Sequence, residues 1–180
     1  IVVASGGGCI VQRLDGQGNY VWQNNYVGVH QSGDKEVWLC HAWGLDETPD
    51  KGYIVGTFGI FPPHPQSTAL PVLLRLDSNG TLLWCRSYSR ISREDEIPGT
   101  FPDKGDYLRE RFVSVSACPD GTYLVAGKSP MTQAGGRDML SIRFNADGTL
   151  PGYTAPLLEV AVAETAPYPN PNQGRCDIAG

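Results

Sequence analysis

One string of residues occurs three times in this chain, and that recurrence narrows its possible folds more than any other feature. Residues 11–22 align without a gap on residues 73–84, so that Arg13, Leu14, Asp15, Gly18 and Trp22 fall on Arg75, Leu76, Asp77, Gly80 and Trp84 at an offset of 62. A third copy, residues 141–150, lies 68 residues beyond the second; it keeps Arg143 and Gly148, has Asn145 for Asp, and places Gly152 where Trp is expected. A second element repeats at an offset of 70: Asp50-Lys51-Gly52-Tyr53-Ile54-Val55-Gly56 matches the run from Asp120 to Gly127. Ile1-Val2-Val3-Ala4 reads as the end of that same strand in an earlier copy, so the chain is expected to start within a unit. A fixed period of this length is the signature of a repeat architecture.

Each copy is a string of short β-branched and aromatic runs separated by turn residues. Asp at the head of a loop can accept backbone amides, and the Gly three residues on supplies the positive φ that a reversal needs. The flanking apolar runs then pair as a hairpin. Upstream, residues 111–117 alternate apolar and polar, and Asp120-Gly121 turns them into Tyr123-Leu124-Val125-Ala126, a second hairpin. Four strands per unit, without a convincing helical period, predict an all-β protein of β-propeller-like blades, each a four-stranded antiparallel sheet. About three units are present, approximately 1–49, 50–119 and 120–158, forming a partial propeller over 1–158. Trp22 and Trp84 read as apolar plugs between neighbouring blades, each needing a partner for its indole N–H.

Composition removes several functional classes. The net charge is −5, with no dense Lys/Arg cluster, so a nucleic-acid partner is not expected. No apolar run approaches the roughly 20 residues that span a bilayer. Cys9, Cys40, Cys85, Cys118 and Cys176 show neither a close pair nor zinc spacing; plain core thiols and one or two disulfides both remain open. No metal or cofactor is expected.

The alternation of these strands with Leu-Leu-Arg-Leu-Asp-x-x-Gly-x-Leu-Leu-Trp hairpins resembles the β-propeller repeats of large secreted and surface proteins of Bacteroidetes-type bacteria, over roughly residues 1–155. Quinoprotein blades carry a similar Asp, Gly and Trp hairpin at other spacings. The Asp-box of sialidases sets Gly two residues after Asp, whereas Gly80 follows Asp77 by three. The tail, 159–180, reads as a linker and the beginning of a further domain. Its Tyr168-Pro169-Asn170-Pro171, followed by Gly174, resembles the opening of the C-terminal sorting domain on cargo of the type IX secretion system. That resemblance implies export to the outer cell surface or the medium, with secretion components as partners of the tail and with more chain on either side. A turn-rich linker is the plainer reading of the same residues.

Chemistry-bearing residues are sparse. His41, in the run from Trp38 to Trp43, is expected in the core or facing a central channel. His30 lies in no motif, and His64 sits in a Pro-rich loop. Residues 92–96 and 103–106 are acidic clusters that read as solvated loop, although they could offer oxygen ligands to calcium. Tyr88, Tyr107, Phe58 and Phe61 could serve a sugar or protein partner. No nucleophile elbow, zinc-protease motif or phosphate loop is present, and Gly6-Gly7-Gly8 lacks the Lys that would make one. The chain is therefore expected to be a noncatalytic, exported module for protein or glycan interaction or for structure. The alternatives are a carbohydrate-active enzyme on a propeller scaffold, and cargo held by the secretion machinery through its tail.

Overall fold

The computed structural model describes residues 2–5, 9–31, 35–39, 41–61, 68–88, 111–129, 138–150 and 159–163. These residues form twelve strands and no helix: β1 (Val2–Ser5), β2 (Cys9–Leu14), β3 (Tyr20–Gln31), β4 (Lys35–Leu39), β5 (Gly44–Glu47), β6 (Tyr53–Phe61), β7 (Thr68–Leu76), β8 (Leu82–Ser87), β9 (Arg111–Ala117), β10 (Tyr123–Ser129), β11 (Asp138–Phe144) and β12 (Glu159–Ala163). Every pairing is antiparallel, so the protein is all-β as its repeats predict.

The sheets are less separate than a set of discrete blades. Strands β5–β6–β7–β8 make one four-stranded meander, and β9–β10–β11 make a three-stranded one. The first group, β1–β2–β3, is joined to the meander through β4, which pairs with β3 on one side and with β6 at Trp38 and Leu39 on the other. β12, from the stretch expected to be linker, pairs with β3 at Asn25–His30. Below, the three meanders β1–β3, β5–β8 and β9–β11 are called the first, second and third units.

The second unit is buried on both faces, with the period-two alternation of a strand sorting its side chains. Tyr53, Val55, Val72, Leu74, Leu76 and Cys85 join Cys9, Val11 and Tyr26 of the first unit in one core. Ile54, Leu73 and Tyr88 join Phe112, Val115, Tyr123, Val125 and Phe144 of the third unit in another. Double burial explains why residues 53–55 and 72–74 are uninterruptedly apolar. Each such side chain contributes about 1.5–3 kcal/mol by leaving water.

The same positions turn polar on the two outer faces. Leu74 and Cys85, which pair across β7 and β8, are replaced in the first unit by Gln12 and Gln23. The two amides hydrogen-bond to each other at 2.7 Å. In the third unit Ser141 stands for Leu73, and Leu124, standing for Ile54, is 46% exposed. Backbone approach changes too. A Cβ on Gly44 would lie 2.8 Å from the Val115 amide nitrogen of the neighbouring unit, a contact that real Cβ atoms do not make. The third unit has Ser114 at that place, so a following unit could not come equally close.

Candidate interaction site: aromatic latches on the hairpin turns

Five turns share one backbone. In residues 15–19, 48–52, 77–81, 118–122 and 145–149 the first residue's amide donates to the fifth residue's carbonyl, and the fourth residue's amide donates to the first residue's carbonyl. The fourth residue has a positive φ in each: 87° at Gly18, 68° at Lys51, 81° at Gly80, 83° at Gly121 and 77° at Gly148. This is a type I turn closed by a bulge whose pivot is left-handed, hence the recurring Gly. After the first and third of these turns a second bulge, within the strand, leaves Val21 and Leu83 unpaired, and they point to solvent at 54% and 55% exposure. The one-residue shift brings Trp22 and Trp84, next along the strands, over the following unit.

Carboxylates hold the turns shut. Asp15 accepts the amides of Gln17 and Asn19 at 2.8 and 2.9 Å, and Asp77 those of Asn79 and Thr81 at 2.8 Å each. In the other three turns the third residue, Asp50, Asp120 or Asp147, accepts instead from the fifth. The side chains of Asn19, Thr48, Thr122 and Thr149 are the main cause holding Asp15, Asp50, Asp120 and Asp147 below the usual carboxylate range. At Asp77, desolvation opposes ionisation, yet the amides of Thr81 and Asn79 outweigh it and the group is also lowered. A lowered folded-state pKa stabilises above the unfolded value near 3.8 and is lost as pH falls through the folded values. Thermal unfolding followed by circular dichroism is therefore expected to show a level melting temperature from pH 7 to about 5 and a decline below about 4.

The turns are where the units grip one another. Trp22 of the first unit donates its indole N–H to the Ser78 carbonyl at 3.2 Å, and Arg13 donates to the same oxygen at 3.1 Å. Asn24 donates to the Gly80 carbonyl at 2.8 Å, and the Tyr26 hydroxyl, kept neutral by burial, donates to the same oxygen at 2.5 Å. One unit on, the pattern returns with equivalent residues. Trp84 packs on Tyr123 at 6.1 Å, as Trp22 packs on Tyr53 at 5.8 Å. Arg86 donates to the Asp147 carbonyl at 2.7 Å, and the Tyr88 hydroxyl to the Gly148 carbonyl at 2.7 Å. Each latch thus lays a strand bearing Trp and, four residues on, Tyr over the turn of the next unit.

Glycine at the pivot also makes room for the indole. A Cβ on Gly80 would lie 3.0 Å from ring carbons of Trp22, and one on Gly148 would lie 2.7 Å from Trp84, whereas one on Gly18 would meet nothing within 4 Å. Gly18→Ala carries only the cost of a left-handed non-glycine residue, about 1 kcal/mol, while Gly80→Ala adds displacement of Trp22 and is expected to cost about 2–3 kcal/mol. Urea denaturation of the two variants side by side measures that difference.

Arg75 ties the same regions together from within. One guanidinium nitrogen, Nη2, donates to both Asp50 carboxylate oxygens at 2.5 and 2.6 Å, while Nε donates to the Tyr123 hydroxyl at 3.1 Å and Nη1 to the Tyr53 carbonyl at 3.4 Å and to the Leu76 carbonyl. Arg143 pairs with Asp120 at 2.6 Å in the third unit, but on the open face, with both side chains more than half exposed.

The repeat residues singled out in the sequence, Asp15, Gly18, Trp22, Asp77, Gly80, Trp84, Asn145 and Gly148, all lie in these turns or on the strands that follow them. Asn145 caps through its amide, which donates to the Thr149 hydroxyl at 2.9 Å. Tyr26 and Tyr88 recur at the same offset as the tryptophans and belong to the repeat, although the sequence reading takes Tyr88 only as a surface aromatic. His41 is neither in the core nor within a strand: it is exposed between β4 and β5, its ring 6.4 Å from Trp43 and 6.3 Å from Phe58. Tyr88 is fully buried against Phe112 and Phe144, which removes it from any surface aromatic platform. Cys9 and Cys85 are buried in one core, and burial pushes the Cys85 thiol up. Among the described residues no group of three or more His, Cys, Asp or Glu is placed to hold a metal, and no helix is long and apolar enough to cross a membrane. The tail residues Tyr168, Pro169, Asn170, Pro171 and Gly174, both acidic clusters, Tyr107, His64, Cys40 and Cys176 lie outside the described residues, as do the side chains of His30 and Phe61. No protein-family model matches the chain, and no curated protein matches it.

Proposed function

We propose that this chain is a noncatalytic β-propeller-type module, exported by type IX secretion to the outer cell surface or the medium, where it serves protein or glycan interaction or a structural role. The observation that carries the stacked-blade part is the doubled latch. Tyr26 on the Gly80 carbonyl and Tyr88 on the Gly148 carbonyl repeat one contact between successive units of three, four and three strands. Recurrent unit-to-unit contacts of this kind are how blades and solenoid repeats build a core that no unit has alone. Export rests on the resemblance of residues 168–174 to a sorting signal, with secretion components as the partners of that tail.

The test has two arms. In a bacterium with type IX secretion, the protein in its natural context is expected in the outer-surface fraction or medium, and to stay in the periplasm when the secretion system is deleted. Purified protein is then offered a panel of polysaccharides and surface proteins, with retention measured alongside release of reducing ends. Retention without release supports an interaction module; steady release of reducing ends makes it a carbohydrate-active enzyme instead, and periplasmic retention in the wild-type strain removes the export reading.

A further inference from the structure

Resting on the stacked-unit reading, we propose that the turn Asp15–Asn19 is an open acceptor for a further unit of this same repeat, which it recognises by an outer strand of pattern Trp-x-polar-x-Tyr. The turn has the backbone of the two occupied acceptors, with amide-to-carbonyl distances of 2.9 and 3.2 Å that equal those at Asp77–Thr81. Its pivot, Gly18, has the same left-handed φ. At Ser78 and Gly80 the corresponding carbonyls take a Trp N–H and a Tyr hydroxyl; no described residue donates to those of Gly16 and Gly18. Nothing lies within 4 Å of a Cβ built on either glycine, and residues 16–20 are all exposed. The acceptor is formed, and no described residue occupies the place over it that an indole takes at Gly80 and Gly148.

Neighbouring residues sharpen what fits. The Gln12–Gln23 pair stands where Leu74 and Cys85 receive the first unit, so the incoming unit must offer a polar side chain at the place where the first unit offers Val11. A second copy of these 180 residues does not qualify. Its two Trp-x-polar-x-Tyr strands are already seated, and an offset of 68 from Trp84 and Tyr88 leads in the third copy to Gly152 and Pro156. The stack therefore has an acceptor at its first unit and no matching donor at its third, which forbids head-to-tail polymerisation through this contact.

The experiment appends a copy of the hairpin, residues 9–31 carrying Val11→Gln to meet the Gln12–Gln23 pair, ahead of Ile1 through a flexible Gly/Ser linker, giving an effective concentration on the order of millimolar. Amide NMR shifts of Gly16, Gly18 and Asn19 in the resident turn, and acrylamide quenching of the appended Trp, are read together. The resident amides are expected to move and the appended indole to be shielded several-fold, both effects disappearing with Trp22→Ala in the appended copy alone. A free peptide of residues 20–31 titrated onto the unextended chain provides a format that does not depend on the appended hairpin folding. Resident amides that stay at their parent positions in both formats overturn the proposal. A Trp22→Ala change in the resident unit separates the two ideas: if it moves the amides of residues 78–81, the stacked-unit reading stands and only the open acceptor falls; if it leaves them in place, the stacked-unit reading falls as well.

Discussion

Phe144→Ala is expected to destabilise the protein by about 4 kcal/mol, measured by urea denaturation. Phe144 is fully buried, with its ring centroid 4.7 Å from Tyr88 in edge contact and 5.7 Å from Phe112. Removing it deletes one member of an aromatic triad in mutual contact that joins the second and third units, so the loss includes ring–ring attraction as well as buried area. Neighbours cannot easily collapse into the gap, because Tyr88 is tethered through its hydroxyl to the Gly148 carbonyl and through its amide to the Pro71 carbonyl. Hydrogen exchange is expected to rise first in β9–β11, since this cluster is one of the contacts that hold those strands on the second unit. A loss under 1 kcal/mol would mean that the third unit does not depend on the triad.

Arg75→Ala is expected to cost about 3–4 kcal/mol, and Arg143→Ala under 1 kcal/mol, although both residues occupy the same place in the repeat. The difference lies in solvent. The Arg75 side chain is 7% exposed and supplies donors to Asp50, Tyr53, Leu76 and Tyr123 at once. Its removal takes donors from the buried Tyr53 and Leu76 carbonyls and from the Tyr123 hydroxyl, whereas Asp50, 66% exposed, is taken up by water. The Arg143 side chain is 59% exposed and its partner Asp120 56%, so water replaces whatever is lost. Parallel thermal melts of the two variants give the comparison, and equal losses would remove the claim that the third unit's outer face is uncovered.

Much of this architecture is legible in the sequence because turns are local. Asp at the head of a loop and Gly three residues later specify a left-handed pivot without reference to anything distant, whereas the second bulge, at Val21 and Leu83, that sets where Trp22 and Trp84 point is not written in those two residues. The same chemistry at residues 48–52 is harder to see, since Lys51 occupies the pivot at φ 68°. Tyr26 and Tyr88 were within reach: the offset of 62 continues four residues past each Trp, and following the alignment beyond the indole exposes both. Other features are not local and left no such trace. Arg75 and Asp50 recur separately in the chain, but 25 residues part them and only the pairing of β6 with β7 brings them together. The break that leaves His41 exposed, and the pairing of β12 with β3, depend on long-range packing that hydrophobic alternation does not encode.

Burial of the second unit on both faces carries a liability for the chain while it is being made. From Tyr53 to Phe61 run nine consecutive uncharged residues, rich in aromatic and β-branched types, without a proline. Such a stretch is harmless between two neighbours and sticky without them. During synthesis it emerges before any part of β9–β11 exists to cover Ile54, so one face of β6 stays bare until some sixty more residues have been made. Variants that loosen the third unit are therefore expected to reveal themselves first as poor soluble yield, ahead of any measurable change in what the folded protein binds.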